Sequence, residues 1–129
     1  QAREILPKNV SLHDAISQWG NVGGLIAGLY SGNIGLVGRA MRDAVAEPYR
    51  KQFIPGFDEL REKILASGSM AMNISGSGPS VFSLSDKRET ANRAGEIMKA
   101  HFDSRGIECE VYVVKVTNKG AKLLAHELL

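Results

Sequence analysis

The chain has 129 residues, enough for about one domain, and its 16 Lys and Arg against 14 Asp and Glu leave a net charge of +2. With 43% hydrophobic and 23% charged residues it reads as a globular domain rather than a disordered tail, and so balanced a charge gives no reason to expect a nucleic-acid partner. The single cysteine, Cys109, excludes an internal disulfide and a four-cysteine zinc site and points to a reducing, cytoplasmic compartment.

A short element at Ala2–Leu6 opens the chain. Ser11 followed three residues on by Asp14 is a capping pattern, and it predicts a long helix that stops at the turn signal Ser31-Gly32-Asn33. No charged residue lies between Asp14 and Arg39, a stretch long enough to cross a hydrocarbon core. Its glycines (Gly20, Gly23, Gly24, Gly28, Gly32, Gly35, Gly38) and the polar Gln18, Asn21, Ser31 and Asn33 argue against a membrane span. Leu12, Ala15, Ile16, Trp19, Val22, Ile26, Leu29 and Tyr30 recur at three and four, which predicts one buried stripe, with glycines that let a neighbour come close.

A second helix is expected from about Ile34 to Val45, where Pro48 prevents continuation and biases Glu47 toward extended backbone. The connector from Pro48 to Ile54 leads to Pro55, an early residue of a third helix that buries Phe57, Leu60 and Ile64 and ends at Gly68. There the period drops to two. Met70, Met72 and Ile74 predict a strand; Gly76-Ser77-Gly78-Pro79 interrupts it, and Val81, Phe82 and Leu84 predict a second. Asp86 with Glu89 offers a cap for a helix carrying Ala91, Ala94, Ile97, Met98 and Phe102, closed by Gly106. Cys109 to Val116, dense in Val and Tyr, is the strongest strand candidate, and Gly120 to Leu129 is ambiguous. This order predicts a single α+β domain of ferredoxin-like, two-layer type, an antiparallel sheet with helices packed on one face.

Chemistry concentrates in two places. In Asn73-Ile74-Ser75-Gly76-Ser77-Gly78-Pro79-Ser80, glycines flanking a serine allow successive backbone N–H groups to converge on an anion, and an ordinary tight connection fits equally well. The segment lacks the Gly-Lys-Ser/Thr ending of a Walker loop. Arg50, in Ala46-Glu47-Pro48-Tyr49-Arg50, carries a planar fork suited to a carboxylate or phosphate, although an arginine in a connector is ordinarily a solvated surface group, as is Arg3. His13, His101 and His126 show no metal-ligand spacing, no Gly-x-Ser-x-Gly elbow is present, and Cys109 lies in an apolar alternation that suits a core residue.

Three motifs taken together go further. Ala2-Arg3-Glu4-Ile5-Leu6-Pro7, then Ala46-Glu47-Pro48-Tyr49-Arg50 with Ile54-Pro55-Gly56-Phe57, then Ile74-Ser75-Gly76-Ser77-Gly78-Pro79-Ser80 stand in an order that resembles the homoserine branch of the galacto-, homoserine-, mevalonate- and phosphomevalonate-kinase (GHMP kinase) family, in its C-terminal domain. The resemblance implies transfer of the ATP γ-phosphate to the hydroxyl of L-homoserine, giving O-phospho-L-homoserine on the route to threonine. It also implies that Arg3 and Arg50 hold the substrate carboxylate, while Gly76, Ser77 and Gly78 support the phosphate loop and line the active site. ATP and Mg2+ would be bound mainly by an N-terminal domain that residues 1–129 do not match, and that domain, with a possible second copy of the chain, is the expected partner. No residue presents itself as a general base. Gln1 in place of Met, and no signal-peptide pattern after it, fit a piece of a longer protein that is inactive by itself. Two other readings suit the same order of elements: an amino-acid-binding regulatory module, and a sister kinase acting on another small alcohol.

Overall fold

The computed structural model describes residues 4–121, so Arg3, the start of the Ala2–Leu6 element and the last eight residues, His126 among them, lie outside the described residues. Helix α1 spans Leu12–Ser31, with the Ser11 hydroxyl accepting from the Asp14 N–H and Gly32 closing the C-terminus. Both ends match the turn and capping signals of the sequence. α2 (Ile34–Ala40) packs back on α1. It stops five residues short of the expected Val45, because the Asp43 carboxylate accepts from the N–H groups of Val45 and Ala46 (2.8 Å each) and Glu47 (3.2 Å), an arrangement that replaces the helical ladder. Glu47 is helical rather than extended: α3 (Glu47–Arg50) is a single turn with Pro48 as its second residue, and a 3-10 turn over Lys51–Phe53 continues it.

α4 (Phe57–Ala66) begins after Gly56 and buries Phe57, Leu60 and Ile64, as its spacing requires. β1 (Ala71–Ile74) and β2 (Val81–Leu84) form an antiparallel hairpin in which Ala71 faces Leu84 and Ile74 faces Val81. α5 (Arg88–Asp103) follows. Its N-cap is Lys87 without a side-chain bond, so the expected Asp86 cap does not form. The arrangement is α+β, with α4 and α5 laid against the hairpin. Ile54, Phe57, Leu60, Ile64, Met72, Ala94, Met98 and Phe102 make the core between these elements. At one end of it the Pro55 carbonyl meets His101 Nε2 (3.1 Å), while Arg105 Nη1 lies 3.2 Å from Nδ1. A carbonyl only accepts and a guanidinium only donates, so the ring carries its proton on Nε2 and ties the start of α4 to α5.

Two expectations fail for one reason: among the described residues no element covers the faces concerned. Residues 109–116 pair with no strand among the described residues; only Ile107 and Cys109 join the core, with Val111 and Val113 against Gly95 of α5. High β-propensity does not form a ladder without a neighbouring edge. The apolar stripe of α1 is likewise exposed. Leu12, Ile16, Trp19, Val22, Ile26, Leu29 and Tyr30 all face outward, because α2 packs on the glycine side instead. No helix among the described residues is long and apolar enough to cross a membrane.

The close approaches are made at glycines. A Cβ on Gly28 would stand 2.9 Å from the Val37 side chain, and one on Gly38 would stand 2.7 Å from the Met70 carbonyl oxygen, whereas Gly20 has nothing within 4 Å. Gly38→Ala is therefore expected to destabilise the fold by about 1–3 kcal/mol through a forced backbone shift. Gly20→Ala, in an open helical position, is expected to stabilise it by roughly 0.5–1 kcal/mol. Urea unfolding of the chain measures both, and equal midpoints for the two variants would refute the steric account.

Candidate functional site

The site forms where α3 meets the β1–β2 turn. A four-residue helix has no stability of its own, so its position depends on what holds it. Asp43 caps its N-terminus, as described above. Glu47, only 9% exposed, is gripped by Arg61 of α4: Nη1 donates to Oε1 at 2.6 Å and Nη2 donates to Oε2. Arg61 also donates Nε (3.1 Å) and Nη2 (2.8 Å) to the Met72 carbonyl, and its guanidinium lies 4.7 Å above the Phe57 ring. Asn73, buried on the far face of β1 from Met72, donates to the Met41 carbonyl at 2.5 Å and stands 3.5 Å from Glu47 Oε2.

Arg50 lies one turn beyond Glu47, on the same side of α3. Its Nη1 donates to the Gly76 carbonyl at 2.9 Å, so the two places singled out in the sequence meet in space. The Arg50 Nε is buried and makes no hydrogen bond among the described residues, and Arg50 shares the lining of a cavity of about 30 Å³ with Asp43, Glu47, Asn73, Ile74 and Gly76. A larger depression of about 340 Å³ lies over Pro55-Gly56-Phe57, but its Asp58 and Glu59 are paired with Lys51, Lys63 and Arg105. The hydrogen bond from Lys63 foremost, with the charges of Lys63 and Arg105, lowers the pKa of the Glu59 carboxyl from its ordinary value.

The turn is pinned at both ends, by Ser75 N–H to the Ser80 carbonyl (2.8 Å) and Gly78 N–H to the Ser75 carbonyl (3.1 Å). Gly76 and Gly78 have φ of 60° and 81°, and the Gly78–Pro79 bond is cis. Among the described residues the N–H groups of Gly76 and Ser77 make no hydrogen bond, and both residues are exposed. Two consecutive backbone donors beside a guanidinium can hold an anion. Among the described residues no three His, Cys, Asp or Glu side chains gather where they could hold a metal ion.

Arg50, Gly76, Ser77 and Gly78 are thus brought together, while Arg3 lies outside the described residues. Glu47 and Asn73 lie inside the two motifs without a role that the sequence assigns, and Arg61 lies outside both. Glu47 stood inside a recognised motif, but nothing local marks Arg61, fourteen residues on, as its partner.

This architecture belongs to a known class. Residues 25–104 match the family described as GHMP kinases C terminal, and the chain belongs to that family. Among its relatives are proteins named homoserine kinase from Chlorobium phaeovibrioides, 45% identical over 125 residues (95% of this chain, 39% of that one), and from Pyrococcus abyssi, 40% identical over 122 residues (95% and 40%). The crystal structure of homoserine kinase from Cytophaga hutchinsonii superposes with a TM-score of 0.85 at 49% identity, covering 89% of this chain and 36% of that one. The chain spans about two-fifths of the length of the curated relatives it matches.

The turn carries its own prediction. Gly78 has room for a methyl group, with Ile74 at 3.5 Å, but not the backbone conformation for one. Gly78→Ala is expected to cost about 1–2 kcal/mol through its positive φ alone, read as a lowered unfolding midpoint. An unchanged midpoint would show that the turn relaxes.

Proposed function

We propose that this chain is the C-terminal domain of a homoserine kinase, an enzyme that transfers the γ-phosphate of ATP to the hydroxyl of L-homoserine. The observation that carries this reading is the bond from Arg50 to the Gly76 carbonyl, which sets a cationic fork and two backbone donors side by side. Relatives at 40–45% identity bearing that name support it.

In this reading Arg50 binds the homoserine carboxylate through the guanidinium hydrogens that the Gly76 carbonyl leaves free, and Arg3 supplies a second cation. The N–H groups of Gly76 and Ser77 face the phosphate side and offset charge there, with Gly78 setting the turn. Phosphoryl transfer rests chiefly on positioning and charge stabilisation, so a domain of this kind contributes without a general base. ATP fits the donor set of the turn and supplies the transferable phosphoryl group when bound. Among the described residues no donor set fits magnesium, so its ligands would come from the N-terminal domain, and no step through the ion is assigned to this chain. That domain is the expected partner, and a second copy of the chain is a further one.

In the full-length protein, Arg50→Ala is expected to weaken homoserine binding by roughly 2–5 kcal/mol, as for a desolvated charge pair that loses one member. Steady-state kinetics with L-homoserine and ATP measure it, and an unchanged homoserine KM would remove Arg50 from the substrate site. Residues 1–129 alone are expected to release no ADP in a coupled assay. If the full-length protein phosphorylates other small alcohols but not homoserine, the reading becomes that of a sister kinase. If it binds threonine without any turnover, the reading becomes that of a regulatory module.

A further inference from the structure

We propose that Arg61 and Glu47 form a positioning clamp that sets Arg50 against the glycine turn, an inference that rests on the reading of Arg50 as the carboxylate-binding residue.

Arg50 belongs to a helix of four residues, and a single turn cannot fix the direction of its side chains. The constraint comes from outside the helix. Arg61 grips both oxygens of Glu47, the first residue of α3, and at the same time binds the Met72 carbonyl of β1 through Nε and Nη2. One guanidinium therefore ties three elements: α4, which carries it; β1, which leads into the turn; and α3, which carries Arg50. The chain from Met72 to Gly76 is only four residues long. Arg61 thus holds β1 at its second residue, and the strand runs through Ile74 into the turn whose Gly76 carbonyl Arg50 bonds.

The chemistry of the clamp also points to positioning. A partly buried ion pair adds little net stability over a well-packed apolar pair, because desolvation offsets the attraction. What it adds is direction, since a bidentate fork accepts a carboxylate in one plane only. The side chains of Glu47 and Arg61 are 11% and 22% exposed, so water competes little for either. Asn73 also reaches Glu47 Oε2 and the Asp43 carboxylate holds the Glu47 N–H, so α3 keeps two other ties when Arg61 is changed. Arg61 is not itself aimed at the turn; it acts through Glu47.

The test uses the full-length protein labelled with 15N-arginine, as the unmodified protein, Arg61→Lys, Arg61→Met and the pair Glu47→Gln with Arg61→Met. Arg50→Ala assigns the Arg50 Nε–H resonance. In Arg61→Lys that resonance is expected to move, and the homoserine KM to rise about tenfold, while kcat and the ATP KM stay within roughly twofold. The paired variant leaves no charge without a partner, so it keeps the fold assessable if Arg61→Met does not fold, and it is expected to show the same shift and the same KM rise. A lowered unfolding temperature with an unmoved Arg50 resonance and an unmoved homoserine KM would make the pair merely structural and overturn the proposal. If the unmodified protein does not phosphorylate homoserine, the functional reading fails separately, and the Arg50 resonance still decides whether the clamp positions that side chain.

Discussion

The contact between the Glu47 carboxylate and the Arg61 guanidinium joins parts of the molecule that have little else to hold them in register. α3 is one turn long, and the segment that leads into it from α2 has no ladder of its own. Breaking such a pair from one side leaves a charge without its partner in a poorly solvated place, which costs about 3–5 kcal/mol when burial is complete. The same guanidinium covers the Phe57 ring and satisfies the Met72 carbonyl, so the apolar core and the polar site share one side chain. Asn73 extends the network to Met41, at the end of α2.

Around that contact the fold divides into a well-packed half and a half that meets little of its own chain. Between α4, the hairpin and α5 the side chains interlock, with Leu60, Ile64 and Ala94 fully buried. The α1–α2 pair reaches the rest through Gly38 against Met70, and through the side chains of Gln18 and Asn21 bonded to the backbone at Ala44 and Arg42. Seven large apolar side chains of α1 stay exposed, in a chain that spans about two-fifths of its relatives' length. The two failed expectations have the same origin. A stripe on α1 and an alternation at residues 109–116 state which face is apolar, and neither states what is there to cover it.

Much of the architecture was legible locally. Ser11 and Asp14 marked the start of α1, Gly32 its end, Phe57-Leu60-Ile64 the buried face of α4, and the change of period after Gly68 the hairpin. The errors fell where a short-range rule had a competitor. Asp43 ended α2 early by taking three backbone N–H groups, and Pro48 became the second residue of a helical turn instead of enforcing an extended residue before it. Both outcomes are permitted by residue type, and packing chose between them.

The sequence by itself determined which residues could do chemistry: a glycine turn whose backbone adopts positive φ, and an arginine in the motif Glu-Pro-Tyr-Arg. These are properties of the residue and its immediate neighbours, so they survive translation into a string of letters. Only the tertiary structure decided that Arg50 reaches the Gly76 carbonyl across twenty-six positions, and that Glu47 finds its partner at Arg61 rather than at a nearer cation. Side chains distant in sequence meet only after loops have closed and the core has packed, and the charge of a residue carries no record of that distance.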